Sequence, residues 1–166
     1  MKKFVLSLCL ALMSVGTYAQ EYYDEGAAAG DWGLGFGINM GFGSGITNFG
    51  IQIPKVQYYF ASRTRAEFSF DYFMKTKETV DWDIALNIHP YIVPIKDTGL
   101  HIYPLAGITF MHRKILSENF GRLGFNIGGG VQYDITEKIY VNFEAKYLYV
   151  NDFDHGGFNL GIAYRL

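Results

Sequence analysis

The fold class of this chain is decided by the stretch Trp32-Gly33-Leu34-Gly35-Phe36-Gly37-Ile38-Asn39-Met40-Gly41-Phe42-Gly43. Every even position carries a large apolar side chain, and every odd position carries glycine or asparagine. An α-helix would scatter the glycines around its circumference, whereas a β-strand places all of them on one face. The stretch is therefore predicted to be a strand with one apolar face and one nearly bare face.

The same two-residue period recurs seven more times along the chain. The predicted strands cover residues 32–43, 49–60, 66–75, 80–92, 100–110, 122–134, 139–149 and 158–166. In the second strand the apolar phase slips by one residue at Pro54-Lys55, which predicts a β-bulge because proline is tolerated at such a break. Eight strands joined by short links predict an all-β protein, an eight-stranded antiparallel up-and-down barrel.

The two faces of these strands differ in charge, and the difference indicates what each face contacts. Across all eight strands the apolar face contains no Asp, Glu, Lys or Arg. A soluble barrel needs many charged side chains outside, but only 18% of the residues are charged, against about 25–35% on a typical soluble surface. A charge near the bilayer midplane costs about 2–4 kcal/mol, so an uncharged apolar face suits lipid. The barrel is therefore predicted to be transmembrane.

Residues 1–19 have the features of a cleaved secretory signal peptide. Met1-Lys2-Lys3 is basic, residues 4–15 are apolar, and Gly16-Thr17-Tyr18-Ala19 supplies small residues ahead of a cleavage site before Gln20. The apolar run is shorter than the about 20 residues that a membrane-spanning helix needs. The chain is therefore expected to be exported and to reach the outer membrane.

Removal of the signal peptide is expected to leave a periplasmic lead-in, residues 20–30, and a barrel domain, residues 31–166. Cys9 is the only cysteine and leaves with the signal, so neither a disulfide nor a thiolate metal site is expected. An even number of strands brings both termini to the periplasmic side. Short periplasmic turns are then expected at 61–64, 95–99 and 136–138, and outward loops at 44–48, 76–79, 114–121 and 151–157.

The inward face is predicted to carry charges that neutralise one another, as buried charges must. The expected members of this interior network are Glu67, Asp71, Asp134 and Glu144 with Arg65, Arg122, Lys146 and Arg165. An eight-stranded barrel has an interior just wide enough for its own side chains. The barrel is therefore expected to be filled, and an open diffusion pore is not expected.

Polar side chains near the outward loops are the candidates for catalysis. They are Asp152, Asp154, His155, His112 and Ser117. An acid beside a histidine supports general-base chemistry. No Gly-x-Ser-x-Gly or comparable motif accompanies them, so they are interpreted as solvated turn residues, and no catalytic residue is assigned.

Four further polar residues are weighed as ligands. His89 and His101 are expected to point inward and are interpreted as hydrogen-bonded filling. Asp81 and Asp83 share a face near the outer rim, where two carboxylates could bind a divalent cation. Unpaired rim charge is the favoured interpretation, so no metal and no cofactor are expected.

The charge balance limits the partners. The chain has 14 Lys and Arg against 16 Asp and Glu, and it contains no run of basic residues. Such a chain lacks the positive footprint that nucleic acid requires. Outer-membrane lipid is the expected partner, and the sequence does not indicate a surface partner.

The last strand carries the most specific resemblance to a known family. Gly161-Ile162-Ala163-Tyr164-Arg165-Leu166 resembles the assembly signal of small eight-stranded outer-membrane proteins of the OmpX/Ail and OmpA-barrel type, although family members usually end in Phe. Tyr164 and Leu166 match the signal positions, and the resemblance covers residues 31–166. The resemblance implies an outer-membrane barrel that is inserted by the barrel-assembly machinery. The protein is expected to be a monomer with a structural or surface-interaction role and no enzymatic activity.

Three other functions stay open at this point. The first is a narrow porin-like channel, and the second is a barrel-embedded lipid-modifying enzyme. The third is a lipocalin-like binder, because Gly30-Asp31-Trp32 is similar to the opening of that family of secreted barrels.

A membrane location is tested by extraction. If the apolar face contacts lipid, the mature protein should stay in the membrane pellet after washing with carbonate or urea and should require detergent for release. Immunoblotting of the fractions, beside a soluble periplasmic protein as control, measures this. Recovery as a soluble periplasmic monomer would contradict the membrane interpretation and favour the lipocalin-like one.

Overall fold

A computed structural model describes residues 27–43, 46–74, 79–96, 98–115 and 118–166. The expected signal peptide, most of the lead-in, Cys9 and Ser117 lie outside these residues. No helix among the described residues is long and apolar enough to cross a membrane. The described part of the chain is built from β-strands and their connections.

The strands form one closed antiparallel sheet. Their bounds are β1 Trp32–Gly43, β2 Ile46–Ala61, β3 Thr64–Phe73, β4 Thr79–His89, β5 Val93–Ile95, β6 Leu100–Ile115, β7 Glu118–Asp134, β8 Ile139–Val150 and β9 His155–Arg165. Each long strand pairs with its neighbours in the chain, β1 pairs with β9, and β4 pairs with β6 past the short β5. The ring of eight long strands confirms the predicted up-and-down barrel.

The faces also lie as predicted. In β1 the side chains of Phe36 and Ile38 point outward, with 58% of Phe36 exposed, while Gly37 and Asn39 are buried on the inner face. The same alternation runs around the ring, so large apolar side chains cover the outside and polar ones fill the inside. An apolar surface of this extent belongs in lipid and not in water.

The predicted bulge in β2 is present and determines which of its side chains point inward. The pairing of β2 shifts between Gln52 and Lys55 against β3, and between Gly35 and Gly37 against β1. After this shift the odd-numbered residues of β2 face the interior, which buries Lys55 completely. The phase slip therefore places a lysine inside the barrel.

The strand ends differ from the expected ones. The fourth strand ends at His89 and not at residue 92, and Val93–Ile95 form the separate strand β5. The expected loop 114–121 is mostly strand, because Lys114 pairs with Asn119 and Ile115 with Glu118. Strands also extend into the expected loops 44–48, 76–79 and 151–157. Backbone pairing continues past the point where the apolar alternation that marks a strand in the sequence has ended.

Residues 27–31 fold against the end of the barrel where β1 begins and β9 ends, which is the end expected to face the periplasm. Gly30 N donates to Tyr59 O at 2.8 Å, and Tyr59 N donates to Asp31 O at 3.0 Å. Ala27 is buried in a cluster with Tyr59 and Ile92, together with Tyr103 and Leu105. Apolar side chains from the lead-in and from the segment before β5 therefore cover this mouth.

The face assignment is tested by a charge on the lipid side. Phe143 is exposed on the outer face of β8. Phe143→Arg should lower the free energy of unfolding in vesicles by about 2–4 kcal/mol, because the guanidinium would enter the apolar bilayer. Urea titration of the refolded protein measures this change.

Phe143→Leu is the matched control, since it keeps an apolar side chain on the same face. It should cost clearly less than Phe143→Arg. An arginine that left the stability unchanged would show that this face does not contact lipid.

Candidate functional site

The polar interior of the barrel contains the chain's candidate functional groups. Each long strand contributes to it through alternate residues, because successive side chains of a strand point to opposite faces. Its buried charged residues are Lys55, Arg65, Glu67, Asp71, Asp81, Asp83, Arg113, Glu144 and Arg165. Such groups need partners inside the barrel, since they cannot reach water.

A central ion triad links β2, β3 and β8 across the interior. Lys55 Nζ lies 3.2 Å from Glu67 Oε2 and 3.2 Å from Glu144 Oε1, and all three side chains are buried. Gln57 Nε2 donates to Glu67 Oε2 at 2.7 Å, and Tyr103 OH donates to Glu144 Oε1 at 2.8 Å. One ammonium thus holds two carboxylates that lie 77 positions apart in the sequence.

Lys55 is absent from the network that the sequence predicts, although a signal for it exists. The phase slip at Pro54 puts Lys55 in register with Gln57, which lies on the inward face. The predicted network omits Lys55 because the same residue marks the position of the bulge.

Arg65 sits in a tyrosine cage, which we define as Tyr59, Tyr103 and Tyr140. The guanidinium carbon lies 5.7, 4.8 and 5.5 Å from the centroids of the respective rings. Arg65 Nε donates to His89 Nδ1 at 2.7 Å. The prediction paired this arginine with a carboxylate, but aromatic faces and neutral acceptors are its direct contacts, which is a favourable setting for a desolvated cation.

Asp134 and Arg165 form a second group at the periplasmic end. Arg165 Nη2 donates to both carboxylate oxygens of Asp134 at 3.0 Å. His101 Nε2 lies 3.2 Å from Asp134 Oδ2, and Arg165 Nη1 donates to Glu137 O at 2.9 Å. This pair joins β7 to β9 and anchors the turn between β7 and β8.

The outer half of the interior holds two more ion pairs. Lys146 Nζ lies 3.5 Å from Asp71 Oδ2, and Asn39 donates to the other oxygen of Asp71. Arg113 Nε donates to Asp81 Oδ1 at 3.0 Å. Asp81 is therefore paired inside the barrel and is not an unpaired charge on the rim.

Arg122 does not join these groups, in contrast to the prediction. Its Nη2 lies 3.6 Å from Asp152 Oδ2, where the two side chains are 39% and 63% exposed. β7 pairs with β8 only from Gly124 onward, so Arg122 lies above the closed ring. Its position in the two-residue alternation predicts an inward side chain. The pair connects the extended β7 to the last outward loop.

A group of possible metal ligands is already occupied by the chain's own cations. Glu67, His89 and Glu144 offer ligand atoms within 4.8 Å of one another. The Lys55 ammonium lies between the two carboxylates. Arg65 donates to His89 Nδ1, which places the imidazole proton on Nε2 and leaves no lone pair there for a metal. This arrangement does not fit a metal ion.

The candidate catalytic residues are not brought together. His155 is buried, and its Nδ1 lies 2.9 Å from Phe153 O. His112 stacks on Trp82 at 5.0 Å on the opposite, outward face. Asp154 Oδ1 accepts from Val150 N at 3.0 Å and so stabilises the turn. These described residues form neither an acid–histidine nor a histidine–histidine pair that could act on one substrate.

Both mouths of the barrel are covered by apolar side chains. At the outer end Phe153 packs on a cluster of Met111, Leu148 and Val150. A cavity of about 10 Å³ is lined by Leu148 of this cluster and, among others, by Asp71 and Asp83. That volume holds about one water molecule.

The C-terminal residues lie on the outer surface at the periplasmic end. Tyr164 and Leu166 are both exposed to the lipid side, and Leu166 N donates to Trp32 O at 2.8 Å. The last residue thereby completes the pairing between the first and last strands.

Several solved structures have the same fold. The N-terminal β-barrel domain of Pseudomonas aeruginosa OprF gives a TM-score of 0.67 at 17% identity, over 84% of this chain and 98% of that one. Neisserial surface protein A gives 0.64 at 15% identity, over 86% and 100%. Ail, the attachment invasion locus protein of Yersinia pestis, gives 0.62 at 17% identity, over 82% and 99%. At these identities the likeness concerns the fold.

The family is shown by the sequence itself. No curated protein matches the chain. A model of the outer membrane protein beta-barrel domain matches residues 6–165, nearly the whole chain. With the closed ring of eight long strands and the apolar outer face, this match shows that the chain belongs to the outer membrane protein beta-barrel domain family.

Proposed function

We propose that this protein is a non-conducting, non-enzymatic barrel of the outer membrane, with a structural or surface-interaction role. The observation that carries the proposal is the central ion triad, because Lys55 joins Glu67 and Glu144 across the middle of the barrel. A side-chain bridge at this level leaves no room for a continuous water column in an eight-stranded barrel.

The contents of the barrel above and below the triad support a closed interior. Arg65 and the tyrosine cage fill the next layer towards the periplasm, and Ala27 and Ile92 lie over that mouth. Phe153 and its cluster lie over the other mouth. A narrow porin-like channel would require all of these contacts to separate.

An enzymatic role has less support. His112 and His155 point to opposite sides of the barrel wall. A lipid-modifying enzyme would need its acid, base and nucleophile on one side. A lipocalin-like role would place the ligand in a cavity, whereas the interior cavity described here holds only about one water molecule.

The surface role would fall to the outward ends of the strands. There β6 and β7 extend above the closed ring, and the Arg122–Asp152 pair joins them to the last loop. Ail and neisserial surface protein A, which share this fold, are named as an attachment locus protein and a surface protein. A comparable contact role suits a barrel whose interior is closed.

The two ends of the chain are proposed to direct export and membrane insertion. Residues 1–19 act as a cleaved signal peptide, and the barrel-assembly machinery recognises the terminal strand through Tyr164 and Leu166. The inserted protein is proposed to be a monomer; in the described part of the barrel the closed ring leaves no long strand unpaired that could pair with a strand of a second copy.

The closed interior is tested by electrical recording. The purified protein in a planar bilayer should give no sustained conductance at neutral pH, whereas a trimeric porin in the same set-up should give steady openings. Phospholipid and lipopolysaccharide incubated with the protein should keep their acyl chains.

Reproducible channel openings would favour the porin-like alternative. Acyl-chain release that disappeared in His155→Ala or His112→Ala would establish the enzymatic one. Either result would refute the proposed function.

The structural role of the triad is tested by removing its cation. Lys55→Met leaves Glu67 and Glu144 buried without their shared partner, so the free energy of unfolding in vesicles should fall by about 3–5 kcal/mol. Urea titration of the refolded variant measures the loss.

Two controls separate charge from packing. The triple variant Lys55→Met/Glu67→Gln/Glu144→Gln should recover most of the stability, because the uncompensated charges are gone. Lys114→Met, at an exposed lysine on β6, should change the stability little. If Lys55→Met had no larger effect than Lys114→Met, the triad would have no stabilising role.

A further inference from the structure

Two acidic residues face each other in the outer half of the barrel. Asp71 on β3 and Asp83 on β4 are direct cross-strand partners. Both point inward, and each is only 1% exposed. Like charges directly opposite each other on a sheet repel, and the low dielectric of the interior strengthens that repulsion.

Only one of the two carboxylates forms a direct ion pair among the described residues. Asp71 is bonded by Asn39, contacts Ser69 Oγ at 3.4 Å and lies 3.5 Å from Lys146 Nζ. Within the described residues Asp83 has no ion pair within 4 Å, and its Oδ1 is buried without a hydrogen-bond partner. The Asp83 carboxyl group is hydrogen-bonded to Asp71, and Lys146 is the cation that interacts with it. The two carboxylates therefore share one ammonium, and a second negative charge on the pair would have no cation of its own.

The charged groups on the surrounding strands are already engaged. Next to Asp83 on β4, Asp81 is paired with Arg113 of β6, whose guanidinium also lies 4.5 Å from the Phe153 ring. β6 places the apolar Met111 directly opposite Asp83. On β9 the Nδ1 of His155 is held by Phe153 O, and β1 contributes the neutral Asn39.

The two carboxylates border the cavity of about 10 Å³, which is also lined by Asn39, Lys146 and His155. This is space for one particle the size of a water molecule. Carboxylate oxygens are hard ligands and suit a proton or an alkali ion. A single charge suffices, because the Lys146 ammonium already compensates one of the two carboxylates.

We infer that this cavity is a binding site for one small monovalent cation, held between Asp71 and Asp83. The cation is either an alkali ion from the medium or a proton shared by the two carboxyl groups. Its binding removes the uncompensated charge, which is strongly unfavourable inside a barrel closed at both ends.

The experiment uses the mature protein refolded into phosphatidylcholine vesicles, as wild type and as Asp83→Asn, which keeps the shape of the side chain. The urea midpoint is measured in sodium, potassium and choline chloride at one ionic strength. If an alkali ion binds, the wild-type midpoint should be higher in sodium or potassium than in choline, and Asp83→Asn should lose that difference.

Infrared spectroscopy distinguishes the proton. If the pair shares a proton, the wild type at neutral pH should show the carbonyl stretch of a protonated carboxylic acid. Asp83→Asn should lack this band, while Asp152→Asn, at the exposed rim, should retain it.

Two results would overturn the inference. The first is a wild type with neither cation dependence nor a protonated-carboxyl band, which decides the question even if Asp83→Asn does not refold. The second is an Asp83→Asn variant that folds and keeps whichever signal the wild type shows.

Discussion

The structure depends on the closure of the sheet by pairing of β1 with β9. In lipid, no water satisfies a free backbone N–H or C=O, so a spanning sheet must have no open edge. The pairing runs from Gly33 opposite Arg165 to Phe42 opposite Gly156. Glycine on the inner face of β1 permits this close approach: a Cβ on Gly35 would lie 2.5 Å from Ile162 O and 2.8 Å from the Ala163 Cβ. Closure in this register therefore requires a residue without a Cβ at position 35.

A ring of only eight strands encloses a narrow space. The size of this space determines which side chains can fill the interior and how they must pair. Charged side chains inside must find partners on other strands, as Lys55 does with Glu67 and Glu144. Glycines on the inner face make room for large side chains. A Cβ on Gly130 would lie 2.6 Å from the ring of Tyr103, which stacks on His89 at 4.8 Å and bonds Glu144. The interior is therefore packed as a polar core whose mouths are apolar.

Buried charges in the interior are stabilised in two different ways. Arg65 is accommodated by aromatic faces and neutral acceptors, and the triad by direct ion pairing. Asp83 forms no direct ion pair among the described residues, and its Oδ1 is buried without a hydrogen-bond partner. Paired and caged side chains keep the interior closed, which leaves the outward ends of the strands free to contact other molecules. The proposed function is therefore a surface contact and not transport through the lumen.

The sequence alone was sufficient for the strand number, for the assignment of the two faces and for the bulge after Gln52, because a two-residue period is a local property of the chain. It also identified most of the inward charges, including Glu67, Asp71, Glu144 and Lys146. Only the tertiary structure showed which charges meet. Lys55 and Glu144 are far apart in the chain, and their contact depends on the register and tilt of a closed ring. The same register places Arg122 above the closed ring and Asp83 opposite Asp71. Neither position follows from a local sequence pattern, because each depends on how the strands pair.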